Sequence, residues 1–218
     1  MSTDVDPRAA GAGEDLDLEE LAGDLPAEDV PSRLTGVLFA VLGTIGLAAA
    51  FTLAVDKYKI LENPSYRPSC DLNPVLACGS VMVTDQASVF GFPNPLIGVL
   101  AFGVVITLGV LVAAGVRLPT WVLAGQTLGA AGGVVFVHWL AFQSLYDINA
   151  LCPWCMVVWS VTLPFAVWSG ATLWRRVAPT SRAAALVWDL RFLIVLAWYL
   201  VFAVAILERF WDYWSTLL

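Results

Sequence analysis

The sequence predicts an all-α integral membrane protein, a four-helix transmembrane bundle plus a fifth transmembrane helix. Composition is the first observation behind this. The 218 residues are 59% hydrophobic and 13% charged, against about 45–50% and about 25% in soluble domains. The second is a set of five long apolar runs, at about 34–55, 96–116, 121–143, 154–174 and 189–208. A helix needs roughly 20 residues at about 1.5 Å each to cross a hydrocarbon core of about 30 Å. The third is that the runs are nearly free of charge. His138 is the only ionisable group in the third run, and Arg191 lies near one end of the fifth. Backbone polar groups have no water to bind in lipid, so these runs must be helices.

Residues 1–31 precede the first span. They hold most of the 18 acidic residues and no aromatic one, and the net charge of −7 belongs to them more than to the body. Such a composition cannot bury enough apolar surface to offset its ordering entropy, and a disordered acidic tail is expected. The first run is read as a retained helix. A cleaved signal peptide has a short basic leader and an apolar stretch of about 7–15 residues, whereas here a long acidic region precedes 22 apolar-rich residues. Nothing in the body resembles a basic, aromatic-interleaved nucleic-acid surface, so no nucleic-acid partner is expected.

The large loop, 56–95, joins the first two spans, and the remaining connectors are short. After the fifth span come Phe210, Trp211, Tyr213 and Trp214, residue types that favour the membrane–water interface. With five spans the connectors alternate sides. Arg8, Arg33, Arg117, Arg175, Arg176, Arg182 and Arg191 fall on one side, and Lys57, Lys59, Arg67 and Arg209 on the other. The basic excess predicts a cytoplasmic N-terminus in a cell membrane, with loop 56–95 outside.

All four cysteines then share the outer face, where disulfides persist. Cys152-Pro153-Trp154-Cys155 is a C-x-x-C at the head of the fourth span. Proline suits the first helical position, residues three apart lie on one helix face, and the positive helix end favours a thiolate. Cys70 and Cys78 are too far apart on a straight helix to bridge, since eight residues span about 12 Å. If they pair, the chain must fold back, and Asn73-Pro74 supplies a turn signal. Three readings are open for the four sulphurs: an exchanging relay, two structural staples, or a zinc site. The eight-residue spacing is poor for zinc, which favours short-spaced pairs, and no metal is expected.

The order of these motifs resembles the vitamin K epoxide reductase family, specifically its bacterial members. The stretches that carry the likeness are Cys70-Asp71, Cys78-Gly79-Ser80-Val81, Leu145-Tyr146-Asp147 and Cys152-Pro153-Trp154-Cys155, over about residues 33–218. The DsbB-type oxidases place C-x-x-C in the first outer loop and the spaced pair later, the reverse of this chain. The resemblance implies a four-helix bundle around a quinone near the outer surface, with a separate DsbA-like thioredoxin-fold partner because no thioredoxin domain follows the fifth span. It implies that Cys70 and Cys78 shuttle electrons from that partner, that Cys152 exchanges with the loop pair, and that Cys155 meets the quinone. Ser80 stands at a family serine position. Asn94 matches an asparagine that can hydrogen-bond a quinone oxygen, and it can equally cap the second span with Pro95 at the first helical position. Trp159 stands where some members have a ring-contacting tyrosine, and an indole donates but cannot accept. The Ala-, Arg- and Trp-rich style suggests a bacterial source in which menaquinone is the available quinone.

Two further features lie outside these motifs. His138 is read as a neutral, hydrogen-bonded packing residue, with proton delivery as its alternative. Gly125, Gly129 and Gly133 repeat every fourth residue and are expected to permit close helix packing. The rival functions are reduction of a vitamin K epoxide in the same pocket, and a non-enzymatic transporter or scaffold stapled by two disulfides. Transport usually leaves polar groups at mid-membrane, and His138, Gln126 and Gln143 are a thin set for that.

Overall fold

The computed structural model describes residues 31–216, so all but the last residue of the acidic N-terminal segment lies outside them. Its helices are α1 (Arg33–Glu62), α2 (Cys78–Met82), α3 (Pro95–Ala113), α4 (Thr120–Gln143), α5 (Pro153–Val177), α6 (Arg182–Arg209) and α7 (Trp211–Trp214). A 3₁₀ turn occupies Asp85–Ser88, and a π-helical turn, Ser144–Ile148, prolongs α4. Five segments are long and apolar enough to cross a membrane, those of α1, α3, α4 with its π turn, α5 and α6. Among the described residues there is no strand, only an isolated parallel bridge between Leu76 and Leu151.

Helices α1 and α3 meet backbone to backbone. A Cβ added at Gly36 would fall 2.3 Å from the Ala113 nitrogen, and one at Gly109 would fall 2.6 Å from the Ala40 nitrogen. Only glycine permits that approach, which supplies dispersion contact where lipid offers no hydrophobic drive between helices. The expected Gly125/Gly129/Gly133 stripe does not play this part. A Cβ at Gly125 or Gly129 meets nothing within 4 Å, and one at Gly133 makes an ordinary 3.5 Å contact with Thr162. The glycines used for packing are spaced by the crossing of α1 and α3 and not by a regular repeat.

Helix α5 packs against α1, α4 and α6. Phe39 of α1 meets Phe165 of α5 edge to face at 5.0 Å between ring centres. His138 of α4 ties α6 to this bundle. Its Nδ1 lies 2.7 Å from the Val134 carbonyl, and its Nε2 lies 2.7 Å from the indole nitrogen of Trp198. An indole can only donate. Nε2 therefore accepts, Nδ1 carries the proton, and the ring is neutral, in keeping with the packing role.

Helix α1 runs seven residues into the stretch read from sequence as loop, from Asp56 to Glu62. Local and tertiary contacts hold the extension. Tyr58 donates to Glu62 at 2.9 Å, Tyr66 donates to the buried Asp56 carboxylate at 2.9 Å, and the Lys57 ammonium donates to the Met82 carbonyl at 2.6 Å. Phe210, expected at the membrane surface, is instead drawn into a core cluster with Val75, Leu145, Leu151 and Trp159.

Candidate active site

Cys70 and Cys78 are joined in a disulfide, with their Cα atoms 5.7 Å apart. The fold-back that permits this lies at the expected turn. The Asn73 carboxamide oxygen accepts from the N–H groups of Val75 at 2.9 Å and Leu76 at 2.7 Å. Leu72 N–H donates to the Leu76 carbonyl at 2.8 Å and closes the loop. Asp71 then accepts from Gly79 N–H at 2.7 Å, at the start of the helix that Cys78 begins.

The parallel bridge registers this loop on the segment that enters α5. Leu151 N–H donates to the Val75 carbonyl at 2.7 Å, and Ala77 N–H donates to the Leu151 carbonyl at 2.9 Å. Ala77 and Leu151 each stand one residue before a cysteine. The bridge therefore delivers Cys78 to Cys152, and the Cys152 thiol hydrogen-bonds to Cys78 Sγ at 3.2 Å. Both residues are fully buried.

Cys152 and Cys155 are free thiols. Cys152 is the N-cap of α5 with Pro153 at the first turn, and its sulphur accepts from Cys155 N–H at 3.4 Å. The Cys155 thiol, hydrogen-bonded to Cys152, lowers the Cys152 pKa below its ordinary value. The backbone N–H groups of Cys155 and Trp154 act in the same direction, while burial and the Asp71 charge oppose. The positive end of α5 is thus a seat for a Cys152 thiolate.

Cys155, one turn further on, lines a cavity of about 180 Å³. Phe102, Phe136, Val137, Leu140 and Trp159 supply its apolar wall. Its roof is the segment from Val81 to Asn94, which two contacts hold down and a third ties to itself. These are Lys57 on the Met82 carbonyl, Gln86 Nε2 on the Asp147 carboxylate at 2.7 Å, and the Asn94 side chain. Asn94 makes no side-chain cap on α3. Its Nδ2 instead donates to the Gln86 carbonyl at 2.7 Å and its Oδ1 accepts from Val89 N–H at 3.2 Å, which leaves one amide hydrogen. A flat apolar ring bearing acceptor oxygens suits such a lining, with a thiol on one wall.

Of the seven sequence-predicted site residues, Cys155, Asn94 and Trp159 gather at the cavity, while Cys70, Cys78 and Cys152 form a line of sulphurs leading to it. Ser80 sits exposed on α2 and is not among the cavity residues. Sequence reasoning did not single out Gln86 or Arg209. The Arg209 guanidinium donates to the Leu145 carbonyl at 2.9 Å and also to the Asn149 carboxamide oxygen. It thereby clamps the turn leading to Cys152 from the far end of α6. No local pattern marks such a residue, since its partners lie about 60 positions away.

The helical bundle and this arrangement of sulphurs define a membrane protein built for thiol–disulfide chemistry. Comparison with protein-family profiles matches residues 37–170 to the Vitamin K epoxide reductase family, and the chain belongs to that family. The match takes in most of the first span, the second and third, most of the fourth, and all four cysteines; α6 lies wholly beyond it. A search of curated proteins found no match. The family is one of membrane thiol and quinone oxidoreductases in general.

Proposed function

We propose that this chain reoxidises a separate extracytoplasmic thioredoxin-fold, disulfide-forming protein and passes its electrons through two cysteine pairs to a membrane quinone, with menaquinone the expected species. The reading rests above all on the 3.2 Å approach of Cys152 to Cys78 between a loop disulfide and a cavity-lining thiol.

A partner thiolate attacks Cys70, the loop cysteine that retains some exposure, at 6% against 0% for Cys78. A partner–Cys70 disulfide forms and Cys78 leaves as a thiolate. Cys78 then attacks Cys152 of an oxidised Cys152–Cys155 pair, and Cys155 leaves. The partner's second thiolate resolves its bond to Cys70 and departs as a disulfide. Freed Cys70 attacks Cys78, which restores the loop disulfide and releases Cys152 as a thiolate on its helix end. Each exchange needs a thiolate and access to the target sulphur. The result is the state seen here, with Cys70–Cys78 joined and Cys152 and Cys155 free. Bound quinone serves as acceptor of two electrons and two protons as the Cys152–Cys155 disulfide returns. Asn94, with its remaining amide hydrogen, and Trp159, with its indole N–H, are the proposed hydrogen-bond donors to it. Ser80 stays a proposed contributor only through the loop helix that it shares with Cys78.

Cys78→Ala leaves Cys70 without its partner and should trap the thioredoxin-fold protein as a mixed disulfide. Its recovery on non-reducing gels, with peptide mapping to Cys70, tests the reading. A trap that forms only through Cys152 would contradict the order.

A further inference from the structure

The cavity holds one polar group that nothing above uses. Ser144 lines it, at the junction of α4 and the π turn, and is 2% exposed. The other small polar side chains of the lining are engaged. Thr84 donates to the Val81 carbonyl at 2.8 Å and Thr162 to the Val158 carbonyl at 2.7 Å. Gln86 donates to Asp147, and Asn94 braces the roof. The Ser144 hydroxyl makes no hydrogen bond among the described residues, although its carbonyl accepts from both Asn149 and Ala150 N–H. The hydroxyl oxygen is not among the sealed polar atoms that lack a partner, so it keeps open space beside it, and the cavity is what it lines. The backbone of Ser144 is thus fixed in the turn that leads to Cys152, while its side chain is left for whatever fills the cavity.

We infer that Ser144 is a substrate-binding residue whose hydroxyl donates to a carbonyl oxygen of the quinone. The inference rests on the functional reading above and adds, from the end of α4, a second donor to that of Asn94. It matters in this chain because Trp159 brings only an N–H to the site. As an uncharged donor, Ser144 favours an acceptor oxygen on the ring and gains strength as negative charge builds there.

The test uses the full chain in detergent, with 2-methyl-1,4-naphthoquinone as probe and dithiothreitol as reductant. Ser144→Ala should raise the KM for the naphthoquinone about fivefold, the loss expected for one neutral hydrogen bond. It should leave the KM for dithiothreitol unchanged, and it should reduce the rise in Tm that the naphthoquinone produces. Ser144→Thr, which keeps the hydroxyl, should restore both the KM and the Tm rise. A purely structural role would disturb the adjoining Cys152 turn and move the dithiothreitol KM instead. Equal naphthoquinone KM and equal Tm rise in Ser144→Ala and wild type, with wild type active, would overturn this inference alone. A wild-type chain that neither binds nor reduces the naphthoquinone would overturn the functional reading and this assignment with it.

Discussion

Cys152 donates its thiol hydrogen to Cys78 Sγ at 3.2 Å, across 74 positions of chain, and the pair is sealed from solvent. The proposed relay therefore takes Cys78, and not Cys70, as the loop sulphur that exchanges with α5. The double variant Cys70→Ser/Cys155→Ser retains only this pair and should close a Cys78–Cys152 disulfide spontaneously on oxidation. Cys78→Ser/Cys155→Ser should form its Cys70–Cys152 counterpart at least about tenfold more slowly, because thiol exchange depends on access to the target sulphur. Non-reducing peptide maps over time compare the two. Equal rates would remove the distinction between the loop cysteines.

The bridge at Ala77 and Leu151 should matter as much as the sulphurs that it aligns. Ala77→Pro deletes the N–H that donates to the Leu151 carbonyl. Partner-driven turnover should fall about tenfold or more, since misplacing reacting atoms by about 1 Å can cost on the order of 100-fold. Quinone reduction by a small dithiol should be largely spared, because such a reductant can meet the pair at Cys155, which is partly exposed and lines the cavity, without the loop. Parallel assays with the two reductants check this, and equal losses in both would refute an adaptor role for the loop pair.

The spans, the C-x-x-C at a helix head and the Asn73 turn were legible in the sequence because each is local. A long apolar run, a proline in the first helical turn and an Asn-Pro pair all act within a few residues. The bridge between Leu76 and Leu151 was not legible, since it depends on two segments meeting late in the chain's path. The same holds for the α1 extension, held in part by Lys57 on Met82, and for the burial of Phe210 beneath Leu151. The glycine stripe on α4 misled because spacing alone does not say which face meets another helix. The two glycines at the α1–α3 crossing lie 73 positions apart in sequence.

Arg209 offers a test of how far the site depends on α6. Arg209→Ala removes donors from the Leu145 carbonyl and the Asn149 side chain. The residue is exposed, so solvent replaces part of the loss, and a destabilisation of about 1 kcal/mol is expected. Phe210→Ala opens the core cluster beside Trp159 and should cost about 3 kcal/mol. Thermal unfolding in detergent ranks the two. A larger effect from Arg209 would mean that the clamp and not the ring supports the turn.

Cys152 should titrate below an ordinary thiol, whose pKa is about 8.5, because the Cys155 thiol and backbone N–H groups stabilise its thiolate. With a lowered pKa the thiolate is already present at lower pH, so exchange through Cys152 should set in at lower pH than for a free thiol. Removing the largest contributor, as in Cys155→Ala, should move the midpoint upward. Thiolate absorbance against pH, taken as the difference from the corresponding Cys152→Ser variant, measures both midpoints. An unchanged midpoint in Cys155→Ala would show that the helix end alone sets it.

The central claim is that the two cysteine pairs form one relay that ends at quinone. The most direct measurement is differential alkylation and mass spectrometry of all four thiols in purified chain under argon. Reductant is added first, then removed, and naphthoquinone follows. The account predicts that Cys152 and Cys155 become alkylatable with reductant alone. It predicts that on adding quinone the pair returns to the disulfide, with one quinol formed for each pair oxidised. Cysteines that stay oxidised throughout, or thiols that persist after quinone is added, would mean that the disulfides are staples and that the relay does not exist.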